Sequence, residues 1–207
     1  MRVAGWATFF SIAVGLPIAL TLARRPFTGR TALIGLTNLP LVLPPTVLGY
    51  ALLVGLGNRS PIGHLCERLI GHPIIFTWQG AVVAACVASI PLFVSQARVS
   101  IGAIDQDLID AARSDGAGIG TLIARIMTPL ALPGLLAGAA LAFARALGDF
   151  GATLMVAGDM PGSTRTMSLA IYDAIITDDT QTVRTFVLIT CALSIAVTML
   201  TARMPAR

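Results

Sequence analysis

Residues 69–97, LIGHPIIFTWQGAVVAACVASIPLFVSQA, contain no Asp, Glu, Lys or Arg. A helix needs about 20 mostly apolar residues to cross a bilayer. Helices in the core of a soluble protein rarely stay uncharged for so long, and four other stretches share this property: 3–23, 31–58, 126–144 and 185–202. The sequence therefore predicts an all-α integral membrane protein, a single domain over 1–207 with about five spans at roughly 3–23, 31–57, 73–97, 130–157 and 182–203.

The composition excludes most other classes of protein. The 207 residues are 56% hydrophobic and 12% charged, against about 25% charged residues in soluble domains, and the mean hydropathy is +0.84. A soluble globular domain, a disordered chain and a nucleic-acid binder are all disfavoured. All 14 basic residues are Arg, so this chain alone cannot supply a Walker A lysine or a Schiff-base lysine.

The candidates for metal or cofactor chemistry are weak. His64, Cys66 and His72 fit no standard zinc spacing. The glycine-rich run 116–120 follows no predicted strand, which argues against a dinucleotide site. We therefore expect no catalytic residue, metal or cofactor in this chain.

The distribution of arginine predicts the orientation. With the N-terminus outside, eight Arg lie in inner segments and five in outer ones, which agrees with the positive-inside rule. The first apolar stretch is longer than the core of a signal peptide and ends at Arg24-Arg25. We interpret it as a span and not as a cleaved signal, and we place the C-terminus in the cytoplasm.

The second span contains Pro40, Pro44 and Pro45. Proline removes a backbone donor and bends or breaks a helix, and a break at membrane depth is tolerated only against protein or a water-filled cavity. Pro44 and Pro45 thus mark either a packing kink or a helix that lines a pathway or gate.

The segment between spans 3 and 4 is the most polar inner one. Asp105 can cap a short helix over 106–115, and Gly116 can end it in the left-handed conformation. We expect one face to carry Ile104, Leu108 and the alanines at 111 and 112, and the other to be acidic. Helices that lie on lipid are usually basic, so this one suits a protein partner better than the alternative, a lipid surface.

Arg145 and Asp149 are the charged residues expected at membrane depth. Because they are four residues apart in span 4, they can pair on one helix face. They are either a structural pair or a cation and its neutralising partner beside the path of an anion. The outer loop over 158–184 carries Arg165 and Tyr172 and a predicted helix over 167–176.

One spacing identifies a family. Asp110-Ala111-Ala112, three residues, Gly116, nine residues and Ile126-Met127-Thr128-Pro129 resemble the cytoplasmic coupling loop of ABC-importer permeases. That loop reads Glu-Ala-Ala, three residues, Gly, nine residues, Ile-x-Leu-Pro, so Asp110 and Thr128 depart from it. Within this family, three segments resemble molybdate permeases: 39–50, 142–153 and 161–172.

The resemblance implies the fold of a type I ABC-importer permease, with residues 100–129 as the coupling loop to the ATPase. It also implies a homodimer, two cytoplasmic ATPase subunits that bind ATP and Mg²⁺, an extracytoplasmic molybdate-binding protein, and the bacterial inner membrane as location. Tungstate and sulfate permeases are the alternatives within the family. A secondary transporter should carry several acidic groups at depth, and a membrane scaffold would need no broken span beside a docking loop. The site residues implied are Asp110, Ala111, Ala112, Gly116, Ile126 and Pro129 for coupling, Pro44, Pro45, Arg145 and Asp149 for the pathway or gate, and Arg165 and Tyr172 on the binding-protein side.

Overall fold

The computed structural model describes residues 1–23 and 27–202. Within these ranges the chain forms helices and no strand, which confirms the all-α class. Arg24, Arg25, Arg203 and Arg207, on which the predicted orientation partly rests, lie outside the described residues. The helices are α1 (Arg2–Ala23), α2 (Arg30–Val42), α3 (Pro45–Leu56), α4 (Pro61–Ile70), α5 (Trp78–Gly102), α6 (Gln106–Ser114), α7 (Ile119–Thr121), a π turn (Leu122–Met127), α8 (Thr128–Leu147), α9 (Gly151–Ala157), α10 (Met167–Ile176) and α11 (Thr180–Ala202).

Among residues 1–23 and 27–202, four helical segments are long and apolar enough to cross a membrane: α1, α5, the continuous helix Ile119–Leu147, and the Thr180–Val197 part of α11. The pair α2 and α3 makes a fifth when it is taken as one broken span. The predicted number of about five spans agrees with this result.

Helix α5 is the centre of the bundle, and α1 packs along it in the same direction. Ser11 donates a hydrogen bond to the carbonyl oxygen of Cys86 over 3.3 Å. Four residues further along α1, Gly15 has no side chain, and a Cβ there would lie 2.6 Å from Phe93. Small residues at such crossings let membrane helices approach closely.

On another side of α5, α8 runs in the opposite direction. Gly138 packs against Phe93, whereas Gly134 packs against Ser100. Since α1 and α5 are parallel, α2 and α3 together must return the chain from the end of the bundle where α1 finishes to the end where α5 begins. The bundle therefore has two ends, which we call the α6 end and the α4 end after the short helix at each.

The second span is broken where the sequence places its prolines. Helix α2 ends at Val42, α3 begins at Pro45, and the chain turns by 112° between them. Pro44 and Pro45 lack the N–H groups that a continuous helix needs, and Pro45 occupies the first turn of α3, where proline is tolerated.

The fourth span departs from the prediction. We expected one helix over 130–157, but α8 ends at Leu147 and α9 begins at Gly151. Gly148 closes α8, and the side chain of Asp149 accepts a hydrogen bond from the backbone N–H of Thr153, 2.9 Å away. By accepting this hydrogen bond, the Asp149 side chain favours the start of α9 over continuation of α8.

The same helix begins earlier than predicted. The coupling loop was expected over 100–129, yet the helix already starts at Ile119 and passes through the π turn into α8. Ile126 and Pro129 therefore lie within this helix and not in a loop. Helix α5 is also shifted relative to the expected 73–97, since the segment before Trp78 is held in turns.

Helix α6, predicted over 106–115, spans Gln106–Ser114 and is flanked by the two predicted capping residues. Asp105 accepts a hydrogen bond from the N–H of Asp107 at 3.0 Å, and Gly116 has φ = +84°. The predicted apolar face is wrong in two positions, because Leu108, 46% exposed, and Ala111 both face outward, while Ile109 is the buried residue. Ile109 points into the bundle because α6 folds back towards the π turn, a contact that the local periodicity does not contain.

Candidate functional site

The short helix α6 presents an acidic surface at one end of the bundle. Asp105, Asp107, Asp110 and Asp115 are all exposed. Asp110 pairs with Arg113 at 3.1 Å, and both side chains are 51% exposed. Such an exposed pair contributes little to stability, so the helix is free to use these charges in contacts with another molecule.

Below α6 the fold leaves a cavity of about 510 Å³. Ile109 projects into it from α6, and the ends of α1 and α5 and the π turn supply most of the remaining wall. Helix α6 is therefore anchored by few contacts, a property that suits an element which moves with a partner.

The coupling residues predicted from the sequence fall into two groups. Asp110, Ala111 and Gly116 are exposed on and just after α6, and Ala112 is half-buried there. Ile126, in the π turn, is half-buried, and Pro129, in the first turn of α8, is exposed. The structure thus joins the surface helix to a membrane helix through a π turn, a feature that often marks functional sites.

The break between α2 and α3 packs against the break between α8 and α9. Gly151 at the start of α9 faces Pro45 at the start of α3, and a Cβ on Gly151 would lie 2.9 Å from the Pro45 Cβ. Gly49 similarly faces Ala152, whose Cα would lie 3.0 Å from an added Cβ. The pathway candidates Pro44, Pro45 and Asp149 therefore belong to one junction, although they are about a hundred residues apart in sequence.

Asp149 is the polar centre of this junction. Its side chain is 1% exposed. One carboxylate oxygen accepts hydrogen bonds from both the backbone N–H and the hydroxyl of Thr153, at 2.9 and 2.6 Å. The other accepts from Arg145 at 3.2 Å, and the Ser168 hydroxyl donates to the backbone carbonyl of Asp149 at 2.6 Å.

The predicted contact between Arg145 and Asp149 is confirmed, but its geometry differs from the expected one. The two residues do not lie on one helix face, because Asp149 follows the end of α8. Arg145 retains 26% exposure of its side chain, against 1% for Asp149. The carboxylate of Asp149 thus holds the break in place, and part of the Arg145 side chain stays accessible.

Thr153 and Ser168 are polar partners that sequence reasoning missed. A Thr four residues after an Asp, at the start of a helix, is a local capping signal that could have been read from the sequence. Ser168 carried no such signal, because it reaches Asp149 from α10 through the tertiary fold.

Arg165 organises the loop at the α4 end. It donates one hydrogen bond to Asp159 and one to Asp173, both at 2.8 Å. The hydrogen bond to Asp159 raises the pKa of Arg165 above its already high ordinary value, so the guanidinium stays charged. The sequence suggested Arg165 as a contact residue for a binding protein, whereas here it is occupied within its own loop.

Tyr172 is placed differently. Its ring lies 5.0 Å from that of Phe150, centroid to centroid, yet the residue is 48% exposed. Ile175 and Ile176 on the same helix are 60% and 64% exposed. The exposed side of α10 thus connects the surface at the α4 end to the break beside Phe150.

Comparisons with known proteins agree on the kind of protein that carries this arrangement. The family model described as "binding-protein-dependent transport system inner membrane component" matches residues 15–206. The molybdenum transport system permease protein ModB of Escherichia coli K12 is 43% identical over 175 residues, covering 84% of this chain and 76% of that protein. The Mycobacterium tuberculosis protein of the same name is 38% identical over 205 residues, covering 99% of this chain and 77% of that protein.

Solved structures show the same fold at low identity. A chain of the inward-facing MetNI methionine ABC transporter superposes with a TM-score of 0.73 and 19% identity, over 98% of this chain and 89% of that one. A chain of a bacterial alginate ABC transporter gives 0.72 and 15%, over 100% of this chain and 75% of that one.

Proposed function

The chain belongs to the family of binding-protein-dependent transport system inner membrane components, and from this premise we propose that it is the permease subunit of an ATP-driven importer of molybdate. The substrate is supported by relatives named as molybdenum permeases, which are 38% to 43% identical over most of the chain. The structural observation that carries the proposal is α6, a separately capped acidic helix at one end of a bundle whose opposite end carries a different polar surface.

In this proposal α6 docks on a cytoplasmic ATPase subunit. The four exposed aspartates require a basic rim on the partner, and Leu108, exposed among them, requires an apolar contact. Because ATP is cytoplasmic, the α6 end faces the cytoplasm and the N-terminus lies outside. ATP and Mg²⁺ are bound by the ATPase, since this chain has no Lys for a Walker A loop.

The complete importer contains two copies of this chain, two ATPase subunits and an extracytoplasmic binding protein. The α4 end receives the binding protein through the exposed side of α10, with Tyr172, Ile175 and Ile176 in contact. Arg165 supports this surface from within its loop instead of touching the partner.

The anion passes the junction of the two helix breaks. Arg145 offers a positive charge that is partly neutralised by Asp149, so the pathway attracts a dianion without holding it. Pro45 and Gly151 touch at this level, so a shift of α3 against α9 opens or closes the junction.

Uptake in proteoliposomes tests the proposal. The permease is reconstituted with its ATPase and binding protein, and the entry of radioactive molybdate is measured with and without internal or external ATP. We expect uptake only when ATP is on the α6 side, with competition by tungstate stronger than by sulfate. Uptake that needs no ATP would refute the proposed mechanism. Stronger competition by sulfate than by tungstate would refute the proposed substrate.

A further inference from the structure

We propose that a cleft between α1 and α5 at the α4 end binds the acyl chain of an anionic phospholipid, with the lipid phosphate held by Arg2. The inference requires only that the chain spans a membrane. It does not depend on which anion is transported, so its failure would leave the proposed function intact.

The cleft has a volume of about 400 Å³, and nearly every atom on its wall is apolar. It is half-open at the side of the bundle, where Trp6 and Phe10 are 45% and 43% exposed. An oxyanion or water would gain nothing from such a wall, whereas a hydrocarbon chain would bury apolar surface against it. Its wall includes Trp6, Phe10, Ile74, Trp78, Val83 and Val87.

The mouth of the cleft carries a cation. The guanidinium of Arg2 lies 4.3 Å from the centre of the Trp78 ring. No carboxylate in the part of the chain that the structure describes lies within ion-pair distance of Arg2. Gln79, also in the wall, lies 3.5 Å from a ring nitrogen of His72. Positive charge and hydrogen-bonding groups are thus confined to one end of an otherwise apolar cleft.

The length of the cleft matches one leaflet. From Trp78 to Val87 the axis of α5 advances about 14 Å, at ~1.5 Å per residue, which is close to half of a hydrocarbon core ~30 Å thick. Tryptophan rings concentrate at the membrane–water interface, which places Trp6, Trp78 and Arg2 at headgroup level. The cleft then runs inward along the path of a single lipid chain.

Arginine at the mouth selects for an anionic headgroup. One basic residue at an anionic membrane surface contributes ~1 kcal/mol, so we expect about a fivefold preference for phosphatidylglycerol over phosphatidylcholine. The cation–π contact with Trp78 fixes the guanidinium in place, so the preference requires little reordering of the side chain.

The chain contains two tryptophans, and both line the cleft. Fluorescence quenching by brominated lipid therefore reports directly on this site. The full chain is reconstituted in phosphatidylcholine vesicles, and phosphatidylglycerol with brominated acyl chains is added in increasing fraction. Brominated phosphatidylcholine is added in a parallel series. We expect phosphatidylglycerol to quench about fivefold more effectively at low mole fraction.

Variants separate the headgroup contact from the chain contact. Arg2→Gln should reduce the preference to about one, and Arg2→Lys should keep it. Arg184→Gln, an exposed arginine near the start of α11, is the matched control and should change nothing. Val83→Phe should fill the cleft and lower quenching by both lipids. Val99→Phe should leave quenching unchanged, because Val99 is 61% exposed and lies near the other end of α5.

Two results would overturn the proposal. Equal quenching by both lipids in the unmodified chain would mean that the cleft holds bulk lipid without selection. Negligible quenching by either would mean that protein, such as a second copy of this chain, covers the cleft.

Discussion

The pair Arg145 and Asp149 makes a quantitative prediction about the break between α8 and α9. If the pair clamps the break, removing both charges should be less damaging than removing Arg145 alone. The variants are Arg145→Gln, Asp149→Asn and the double variant. Exchange of the two charges is a poor test, because an arginine at position 149 could not accept the two hydrogen bonds from Thr153.

The magnitudes follow from the burial of the two side chains. Removing one partner of a fully buried pair costs about 3–5 kcal/mol, but Arg145 is 26% exposed, so we expect ~2 kcal/mol for Arg145→Gln after discounting for solvent. In the double variant no charge is left unpaired, and the amide oxygen introduced by Asp149→Asn still accepts from the Thr153 N–H, so the cost is ~1 kcal/mol. The double variant should unfold ~2–4 °C above Arg145→Gln, at ~2–4 °C per kcal/mol for a chain of this size.

Cys86 provides the assay, because it is 8% exposed in the folded bundle. With Cys66 and Cys191 replaced by Ser, a thiol-reactive fluorophore labels Cys86 only as the purified permease unfolds on heating. The exposed pair Asp110 and Arg113 is the matched control, and the same neutral replacements there should shift the transition by less than ~0.5 kcal/mol. A double variant as unstable as Arg145→Gln would refute the clamp.

The same double variant tests whether Arg145 acts on the anion. It should assemble with the ATPase as well as the unmodified chain does, yet molybdate uptake should fall at least about fivefold, as expected for the loss of ~1 kcal/mol of attraction in the pathway. Full uptake by a correctly assembled double variant would remove Arg145 from the pathway and leave it a structural role.

Three further predictions concern the two ends of the bundle. Gly116→Val should lower ATP-driven uptake about 5- to 30-fold while leaving the chain in the membrane, because a β-branched residue in this left-handed conformation costs ~1–2 kcal/mol; Gly116→Asn should be nearly harmless, since Asn adopts this conformation more readily, and normal uptake by the Gly116→Val variant would contradict the coupling role. A cysteine introduced at Asn58 should react with an impermeant reagent from outside and one at Ser114 only after permeabilisation, and the reverse pattern would reject the orientation. Ile176→Glu should weaken the stimulation of ATP hydrolysis by loaded binding protein and spare basal hydrolysis, whereas unchanged stimulation would show that α10 is only a connector.

Local signals predicted the ends of α6 to within one residue. Its ends depend on Asp105 and Gly116, whose capping roles involve only neighbouring residues. Its buried face was predicted less well, because Ile109 is selected by contacts with the π turn and not by the helix's own pattern. The same distinction explains α10, whose bounds match the predicted 167–176 although its polar contact to Asp149 was not foreseen.

The broken fourth span could not be read from hydropathy. Hydropathy is averaged over the length of a span. Because apolar residues flank the segment 148–150 on both sides, one aspartate hardly changes that average. The break results from a specific side-chain contact, Asp149 with Thr153, supported by Ser168 from another helix. By contrast, Pro44 and Pro45 lack a backbone N–H whatever their surroundings, so the break between α2 and α3 could be predicted from the sequence.

The position of the two breaks suggests how movement of α6 reaches the pathway. The helix from Ile119 to Leu147 has 29 residues and is thus about 43 Å long at ~1.5 Å per residue, so it links the α6 end to Asp149 as one body. A displacement of α6 is either absorbed in the π turn or transmitted along this helix to the junction. Because Asp149 ties α8 to α9 while α9 packs directly on α3, a transmitted tilt must shift α9 against Pro45. The clamp at Asp149 is therefore where a cytoplasmic movement becomes a change in the pathway, and weakening it should uncouple ATP hydrolysis from uptake before it prevents assembly.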